Sequence, residues 1–272
     1  MWPTKRPKKL VGILPKIGPA PYEPGERLVF KVSMFGSDAG NVLLAVGEPV
    51  TQNGVEYSTF AGFMRGSEFL NKFYPVENRL VVVANSQTLL PAKTDFYVRE
   101  NGKAIDYHTE FDHKKRLLDS TKLKKGRKLY RNFTTAQDIH EPLGSVYAVR
   151  RMNLKPGDRF QRYIWDGRKE RLIDCKVVGF EKVTTQAGVF ETLKIEIETK
   201  ITGGFVKAKA FTNPIRRGTI WIATDRWRTP VKMIAPTKLG NAEAELIRRY
   251  VFKEGQEEEM GGELKPVTPK PN

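Results

Sequence analysis

The sequence is poor in cysteine and histidine and contains no long apolar run, and each shortage excludes a class of protein. Cys175 is the only cysteine, so no internal disulfide and no thiolate metal cluster can form. The three histidines, His108, His113 and His140, lack the close spacing of zinc-binding motifs. No window of about 18 uninterrupted apolar residues occurs, as a membrane-spanning helix would need. We therefore expect no metal, no cofactor and no transmembrane span.

Familiar catalytic and nucleotide-binding motifs are also missing. Ser145 is not set in a Gly-x-Ser-x-Gly turn, and no glycine-rich phosphate loop is present. The remaining catalytic candidates are the acids Asp138, Glu141, Asp158 and Asp225, because glycoside hydrolysis needs two carboxyls about 5–10 Å apart. The competing interpretation is structural, with Asp138 capping a helix and the other two aspartates closing turns. We favour the structural interpretation.

Acidic residues are outnumbered, with 31 Asp and Glu against 47 Lys and Arg, which gives a formal net charge of +16. The first twenty residues contribute +5 and the residues from Glu254 onward contribute −3, which leaves +14 on residues 21–253. A field of this sign attracts polyanions such as nucleic acid, anionic lipid or acidic glycans. The net charge therefore predicts that any binding partner is anionic.

The densest positive segment runs from His113 to Arg131, around a predicted hairpin whose only acid is Asp119. Its cations are Lys114, Lys115, Arg116, Lys122, Lys124, Lys125, Arg127, Lys128 and Arg131. One explanation for this density of positive charge is protection of an exposed sheet edge, because lysines there resist the addition of another strand. Contact with an anionic envelope component (lipid, lipopolysaccharide or peptidoglycan) is the other. Nucleic acid is disfavoured, because only Tyr130 and Phe133 interleave with the cations.

Alternation of apolar and polar residues recurs about twelve times and is typical of strands with one buried face. In one example Leu193, Ile195 and Ile197 alternate with Glu196 and Glu198. Because no long helices separate these segments, we expect antiparallel pairing. The sequence thus predicts a mostly β protein, built as a large curved antiparallel sheet or an open β-barrel.

Composition divides the chain into three parts. Residues 1–21 are rich in proline and lysine and predict a disordered N-terminal linker. Residues 22–253 contain the alternating segments and predict a single β domain. Residues 254–272 predict a disordered acidic, proline-rich tail.

Two segments interrupt the alternation and predict helices. The shorter covers about 67–74, with Ser67 as its cap. The longer covers about 138–152, and the three-residue spacing of Tyr147 and Arg150 places both on one face of the helix. We expect this helix to pack inside the curve of the sheet. Arg150 on that face needs a carboxylate, and Asp225 is the predicted bidentate partner of Arg150 or of Arg228. We interpret such a pair as a structural latch rather than a ligand clamp.

Three stretches of sequence carry a family resemblance. They are the opening strand Gly25-Glu26-Arg27-Leu28-Val29-Phe30, the segment from Asp138 to Arg151 with Pro156-Gly157-Asp158, and Ile220-Trp221-Ile222-Ala223-Thr224-Asp225 before Arg228-Thr229-Pro230-Val231. In this order, over residues 22–253, they resemble the bacterial family known as domain of unknown function 3108. Phe30 stands where the family pattern has tyrosine. The resemblance implies an exported envelope protein with a curved antiparallel sheet and no agreed activity.

The leading functional hypothesis is a non-enzymatic envelope protein that binds or scaffolds an anionic or amphipathic ligand, such as lipid, lipopolysaccharide or a glycan. The alternatives are a glycan-acting hydrolase with paired carboxylates and a structural partner of an envelope protein assembly. We expect a periplasmic or envelope location, with a native leader removed ahead of Met1, and a cytoplasmic location is the alternative. Besides the basic segment, the candidate ligand or latch residues are Asp138, Tyr147, Arg150, Trp221, Asp225 and Arg228.

Overall fold

The computed structural model describes residues 17–135, 137–206, 215–237, 240–252, 256–258 and 264–266. The strands are β1 (Glu26–Met34), β2 (Ser37–Val46), β3 (Val50–Gln52), β4 (Val55–Gly66), β5 (Val76–Asn85), β6 (Pro91–Glu100), β7 (Lys103–Asp112), β8 (Leu117–Lys124), β9 (Arg127–Thr134), β10 (Ile139–His140), β11 (Arg159–Trp165), β12 (Lys169–Thr185), β13 (Gly188–Gly204), β14 (Arg216–Ala223), β15 (Pro230–Pro236), β16 (Asn241–Val251), β17 (Gln256–Glu258) and β18 (Leu264–Pro266). The helices are α1 (Glu68–Phe73) and α2 (Pro142–Arg150).

One sheet of sixteen strands contains β1 to β16. Its order is β10-β11-β12-β13-β14-β15-β16-β1-β2-β4-β5-β6-β7-β8-β9, with β3 paired to β4 alone. All of its pairs are antiparallel except β10 with β11. The sheet therefore starts and ends on unlinked edges, β10 and β9, and does not close into a barrel. The mostly β class is confirmed, although the sheet has more strands than the twelve predicted.

The concave face of the sheet can be followed across its strands. Residues directly opposite each other in antiparallel strands point to the same side. The pairs Phe60–Val82, Val82–Thr94, Thr94–Thr109 and Thr109–Ser120 make one such row from β4 to β8. Phe60 stacks on a tyrosine of α2, Tyr147, with ring centroids 4.3 Å apart. The row therefore faces inward, toward α2.

The two ends of the sheet overlap face to face. In β11, the side chains of Arg162 and Ile164 face the core around α2, and the side chain of Trp165 points to the opposite face of the strand. Its Nε1 donates a hydrogen bond to Thr109 Oγ1 at 3.1 Å, and its ring lies 5.3 Å from that of Phe133 in β9. Both partners belong to the concave face of β7–β9. The concave face at one end of the sheet thus covers the outer face of the other, with a separate apolar layer between them.

Helix α2 lies inside the curve, but it is shorter than predicted. Glu141 is its N-cap and Pro142 occupies its first turn, where the fixed φ of proline favours a helix start. Ile139 pairs instead with Tyr163 of β11. Asp138 is therefore not the cap, and the helix begins four residues later than expected. Helix α1 does have the predicted cap, since Ser67 Oγ accepts from the backbone N–H of Leu70.

The structure describes only short parts of the two terminal segments. Residues 1–16 lie outside the described residues, but Ile17 forms a bridge with Met152, and Gly18 N–H donates to the carbonyl of Arg151. In the predicted acidic tail, β17 pairs with β18. A strand predicted over 205–212 falls mostly outside the described residues. Neither described helix has the length and apolar character needed to span a bilayer.

The overlap layer should contribute strongly to stability. Trp165→Ala removes a side chain that is 1% exposed, and we expect a loss of about 3–5 kcal/mol in the free energy of unfolding. Tyr130→Ala, at a ring that is 65% exposed, should change it by less than about 0.5 kcal/mol. Urea unfolding followed by circular dichroism measures both, and equal effects would contradict the overlap.

Candidate functional site

The two ends of the sheet differ in what they carry. We call the end that bears helix α1 the α1 end. The antiparallel registers also place there the β1–β2 turn at Phe35, the β6–β7 turn at Asn101, the β8–β9 turn at Lys125 and the β11–β12 turn at Arg168. The opposite end, which we call the far end, carries the β7–β8, β12–β13 and β14–β15 turns.

The basic segment predicted from sequence is split between these ends. Lys114, Lys115 and Arg116 lie in the β7–β8 turn at the far end, where Lys115 forms an ion pair with Asp112 at 3.2 Å. Lys122 to Arg131 lie on β8, β9 and the turn between them, toward the α1 end. An eight-residue strand separates the groups by roughly 25 Å. One continuous run in sequence is therefore two separate surfaces.

Pairing of β8 with β9 also divides the second group by face. Ser120 opposes Arg131, Lys122 opposes Leu129, and Lys124 opposes Arg127, so these side chains point to the concave face. Lys128 points to the outer face, where its Nζ lies 4.8 Å from the ring centroid of Tyr130. The tip of the hairpin is formed by Lys125, which is exposed.

Four cations gather where the concave face of the hairpin meets the β11–β12 turn. We call Lys122, Lys124, Arg131 and Arg168 the cationic cluster. Among the described residues, none of the four forms an ion pair with an acid. The Lys122 ammonium lies 5.8 Å from the ring centroid of Tyr107, and the Arg131 guanidinium lies 5.2 Å from that of Phe205.

The positive charges of the cluster repel one another. Burial lowers the pKa of Lys122, and the positive charges of Lys124, Arg168 and Arg131 lower it further. The neighbouring Lys169 has its pKa lowered to about 8, first by burial and then by Arg168. Like charges held together in partly desolvated surroundings favour a bound anion. The cluster is the strongest candidate for an anion site.

A second charged group is fully buried. Arg150 donates from Nη1 and Nη2 to the two carboxylate oxygens of Glu26 at 2.6 and 3.0 Å, and both side chains are inaccessible to solvent. Arg150 Nη2 also donates to the carbonyl of Trp227 at 3.0 Å, and Arg249 Nε donates to Glu26 at 3.1 Å. The Arg150 guanidinium lies 5.2 Å from the ring centroid of Tyr147. The predicted partner Asp225 is therefore wrong for Arg150, because Glu26 occupies that place.

The candidate carboxylates serve local structure. Glu141 caps α2 by accepting from the backbone N–H groups of Leu143 and Gly144. Asp225 accepts from the N–H groups of Trp227 and Arg228. The Asp158 carboxylate accepts a hydrogen bond from the backbone N–H of Lys155 at 2.9 Å. Asp138 is exposed and precedes the short strand β10. The contacts of Asp158 and Asp225 are those of turn residues, whereas Glu141 caps the helix in the place predicted for Asp138.

The remaining candidates also sit in separate places. Trp221 is buried between the ammonium groups of Lys194 and Lys232, 5.2 and 5.9 Å from its ring. Arg228 is half-buried in the β14–β15 turn at the far end. Sequence reasoning missed Glu26 and Arg168. Glu26 stood at an apolar position of the opening strand, a signal that could have identified it as buried.

Another buried pair lies beside α2. Arg162 Nη1 donates to Nε2 of His140 at 3.0 Å, and both side chains are buried. Burial and the charge of Arg162 lower the pKa of His140 from 6.5 to about 3. Burial raises the pKa of Glu141 from 4.5 to about 7. Across the described ranges, no three His, Cys, Asp or Glu side chains are arranged to hold a metal ion.

Comparisons with known proteins agree with the fold. The family model described as Protein of unknown function (DUF3108) matches residues 29–247. A β-barrel-like protein of domain of unknown function DUF1849 from Brucella abortus is similar, with 9% identity, a TM-score of 0.54, and 84% of this chain and 97% of that chain covered. No curated protein matches the chain.

Two further solved structures are similar at lower scores. One, inferred to be an exported protein with a YmcC-like fold from Bacteroides fragilis NCTC 9343, has 12% identity, a TM-score of 0.39, and coverage of 87% of this chain and 100% of that chain. The other, inferred to be a lipoprotein from Parabacteroides distasonis ATCC 8503, has 13% identity, a TM-score of 0.34, and coverage of 87% and 99%.

The buried Glu26 should be essential to stability. Glu26→Gln leaves Arg150 without its counter-charge in the interior, and we expect a loss of about 3–5 kcal/mol in the free energy of unfolding. Glu23→Gln makes the same chemical change at an exposed position three residues earlier and should cost less than about 0.5 kcal/mol. Urea unfolding of both variants tests the latch, and equal stabilities would refute it.

The pH dependence of stability should show two opposing contributions. Folded His140 stays neutral between pH 3 and 6.5, so its lowered pKa makes stability rise with pH in that window. Folded Glu141 keeps its proton between pH 4.5 and 7, so its raised pKa makes stability fall with rising pH there. Each slope is at most about 1.4 kcal/mol per pH unit, and the two offset each other where the windows overlap.

Single variants separate the two slopes. Between pH 4.5 and 6.5 the two slopes of the unmodified chain offset each other. In this window the free energy of unfolding of His140→Gln should fall with rising pH, and that of Glu141→Gln should rise with it. Urea unfolding at three pH values across this window measures the profiles. Variant profiles that run parallel to that of the unmodified chain would contradict the assignment.

Proposed function

This chain belongs to the DUF3108 family of proteins of unknown function, and from that premise we propose that it is a non-enzymatic envelope protein that binds an anionic amphipathic ligand at the cationic cluster. The observation that carries the proposal is the presence of four cations without acidic partners, among the described residues, beside aromatic rings on the concave face. A phosphate or carboxylate headgroup supplies the missing negative charge.

The surroundings of the cluster suit the apolar part of such a ligand. Phe205 lies beneath Arg131, and its ring also meets that of Trp165 at 5.3 Å, edge to face. Phe133 and Leu118 continue this apolar layer between the overlapping ends of the sheet. An acyl chain laid at the edge of this layer, against the partly buried rings of Phe133 and Phe205, would be shielded from water while its headgroup met the cationic cluster.

An envelope location fits this ligand class, because anionic lipid, lipopolysaccharide and acidic glycans are components of bacterial envelopes. It is also what the family resemblance implies. A hydrolase is less well supported, because Glu141, Asp158 and Asp225 already accept backbone hydrogen bonds in a cap and in turns.

Calorimetric titration with dodecyl phosphate below its micelle concentration tests the proposal. The double variant Lys122→Gln/Arg131→Gln should weaken binding by about tenfold or more for each charge-assisted hydrogen bond that it removes. The control Lys114→Gln/Lys128→Gln removes the same formal charge from the far end and the outer face, and should bind nearly as well as the unmodified chain. Dodecyl maltoside, which carries no charge, should not bind.

Two results would overturn the proposal. One is absence of dodecyl phosphate binding by the unmodified chain. The other is an equal loss of affinity in both double variants, because this would assign the attraction to the overall charge of +16 rather than to the cluster.

A further inference from the structure

The α1 end displays three phenylalanine side chains that are mostly exposed, although the ring of Phe35 also lies against Gly240 in the β15–β16 turn. Phe35 is 82% exposed, Phe69 is 61% exposed and Phe73 is 71% exposed. Helix α1, which carries two of them, buries none of its residues. Clustered exposed aromatic side chains mark a surface that meets an apolar phase or a partner.

Phe35 occupies a backbone conformation that disfavours it. With Gly36 it forms the two-residue β1–β2 turn, and its φ is +51°. In the corresponding hairpin turns the residue before glycine is Asn53, Asn101 or Lys125, with similar positive φ. Asparagine tolerates this left-handed region, whereas a bulky residue there is an outlier. Phe35 gains only its contact with Gly240 in return for this strain and stays 82% exposed, which favours a role beyond folding.

The other two phenylalanines sit beside this turn. Phe69 and Phe73 are four residues apart on α1, with ring centroids 5.5 Å apart in an edge-to-face arrangement. Ser67, the cap of α1, donates from Oγ to the carbonyl of Asp38 and from its backbone N–H to the carbonyl of Ala39, at the start of β2. The helix is thereby fixed next to the turn that holds Phe35.

Charge at this end has one prevailing sign. Exposed cations there are Lys72, Lys103, Lys124, Lys125, Arg127, Arg168 and Arg216, whereas the exposed acids are Asp38, Glu68 and Glu77. Asp38 faces Lys31 at 4.0 Å. Basic residues that surround exposed aromatic side chains are the features that attach proteins to anionic lipid interfaces.

The far end provides an internal contrast. Phe180 is 68% exposed there, as exposed as the phenylalanines of the α1 end. Its neighbourhood is neutralised by ion pairs between Lys194 and Glu181, at 3.0 Å, and between Lys182 and Glu191, at 3.2 Å. Phe180 therefore lacks the unbalanced positive charge that surrounds the phenylalanines of the α1 end.

We propose that the α1 end docks on an anionic lipid bilayer, with Phe35, Phe69 and Phe73 inserted among the headgroups and the surrounding cations against lipid phosphates. This goes beyond ligand binding, because it names the surface to which the protein attaches and the side chains that attach it. It also places the cationic cluster next to the source of an amphipathic ligand, since Lys124 and Arg168 belong to the same end.

Co-sedimentation of the full chain with vesicles tests the docking. Vesicles of phosphatidylcholine with phosphatidylglycerol should bind it, and vesicles of phosphatidylcholine alone should bind it far more weakly. Phe69→Ser/Phe73→Ser should reduce the partition coefficient by about tenfold or more, because each removed ring loses its apolar burial in the interface. Phe180→Ser, the matched control at the far end, should leave it unchanged.

Phe35→Asn separates binding from folding. Asparagine suits the left-handed turn position, so this variant should have a higher melting temperature than the unmodified chain and yet bind vesicles more weakly. A loss of binding in this variant cannot be attributed to misfolding. Unchanged vesicle binding in all the phenylalanine variants would overturn the proposal, as would equal binding to neutral and anionic vesicles.

The same variants distinguish docking from the proposed ligand site. The phenylalanine variants should bind monomeric dodecyl phosphate normally, whereas Lys122→Gln/Arg131→Gln should bind it about tenfold or more weakly. If the phenylalanine variants lose affinity for the monomer as well as for the vesicles, the α1 end is not a separate docking surface and the inference is wrong.

Discussion

The fold depends on one fully buried carboxylate. Glu26, at the start of β1, accepts two hydrogen bonds from Arg150 of α2 and one from Arg249 of β16, while Arg150 also reaches the carbonyl of Trp227. An isolated charge in this position would be prohibitively costly to desolvate, so each group requires the others. The network therefore ties α2 to β1 and β16 inside the sheet, where Tyr147 stacks on Phe60.

The position of α2 determines what the rest of the sheet must do. The helix occupies the concave side of the middle strands, so the last strands, β7–β9, close over the outer face of β11 instead. Trp165 and Phe133 hold that overlap. Where the overlap ends, the concave face of the hairpin becomes accessible and presents its cations beside aromatic rings. The candidate site is thus a consequence of the way the sheet rolls.

Much of the fold was predictable because it is encoded locally. Alternating residues identify the strands, as in β13, and Ser67 marks the start of α1. Nonlocal features were not predictable. The Arg150–Glu26 pair joins residues 124 positions apart, so Asp225, which lay in a recognisable motif, was chosen instead. The basic segment looked continuous because sequence does not show that a strand carries its two halves to opposite ends of the sheet, or that Arg168 joins one half.

The α1 end of the rolled sheet is the surface that we propose meets anionic lipid. Amide hydrogen exchange of the full chain with and without phosphatidylglycerol-containing vesicles tests it directly, because it reports protection segment by segment. Vesicles should slow exchange in residues 34–38, 67–74, 122–131 and 166–169, and leave exchange in residues 180–190 unchanged. Protection confined to residues 180–190, or no difference between the two states, would contradict this proposal.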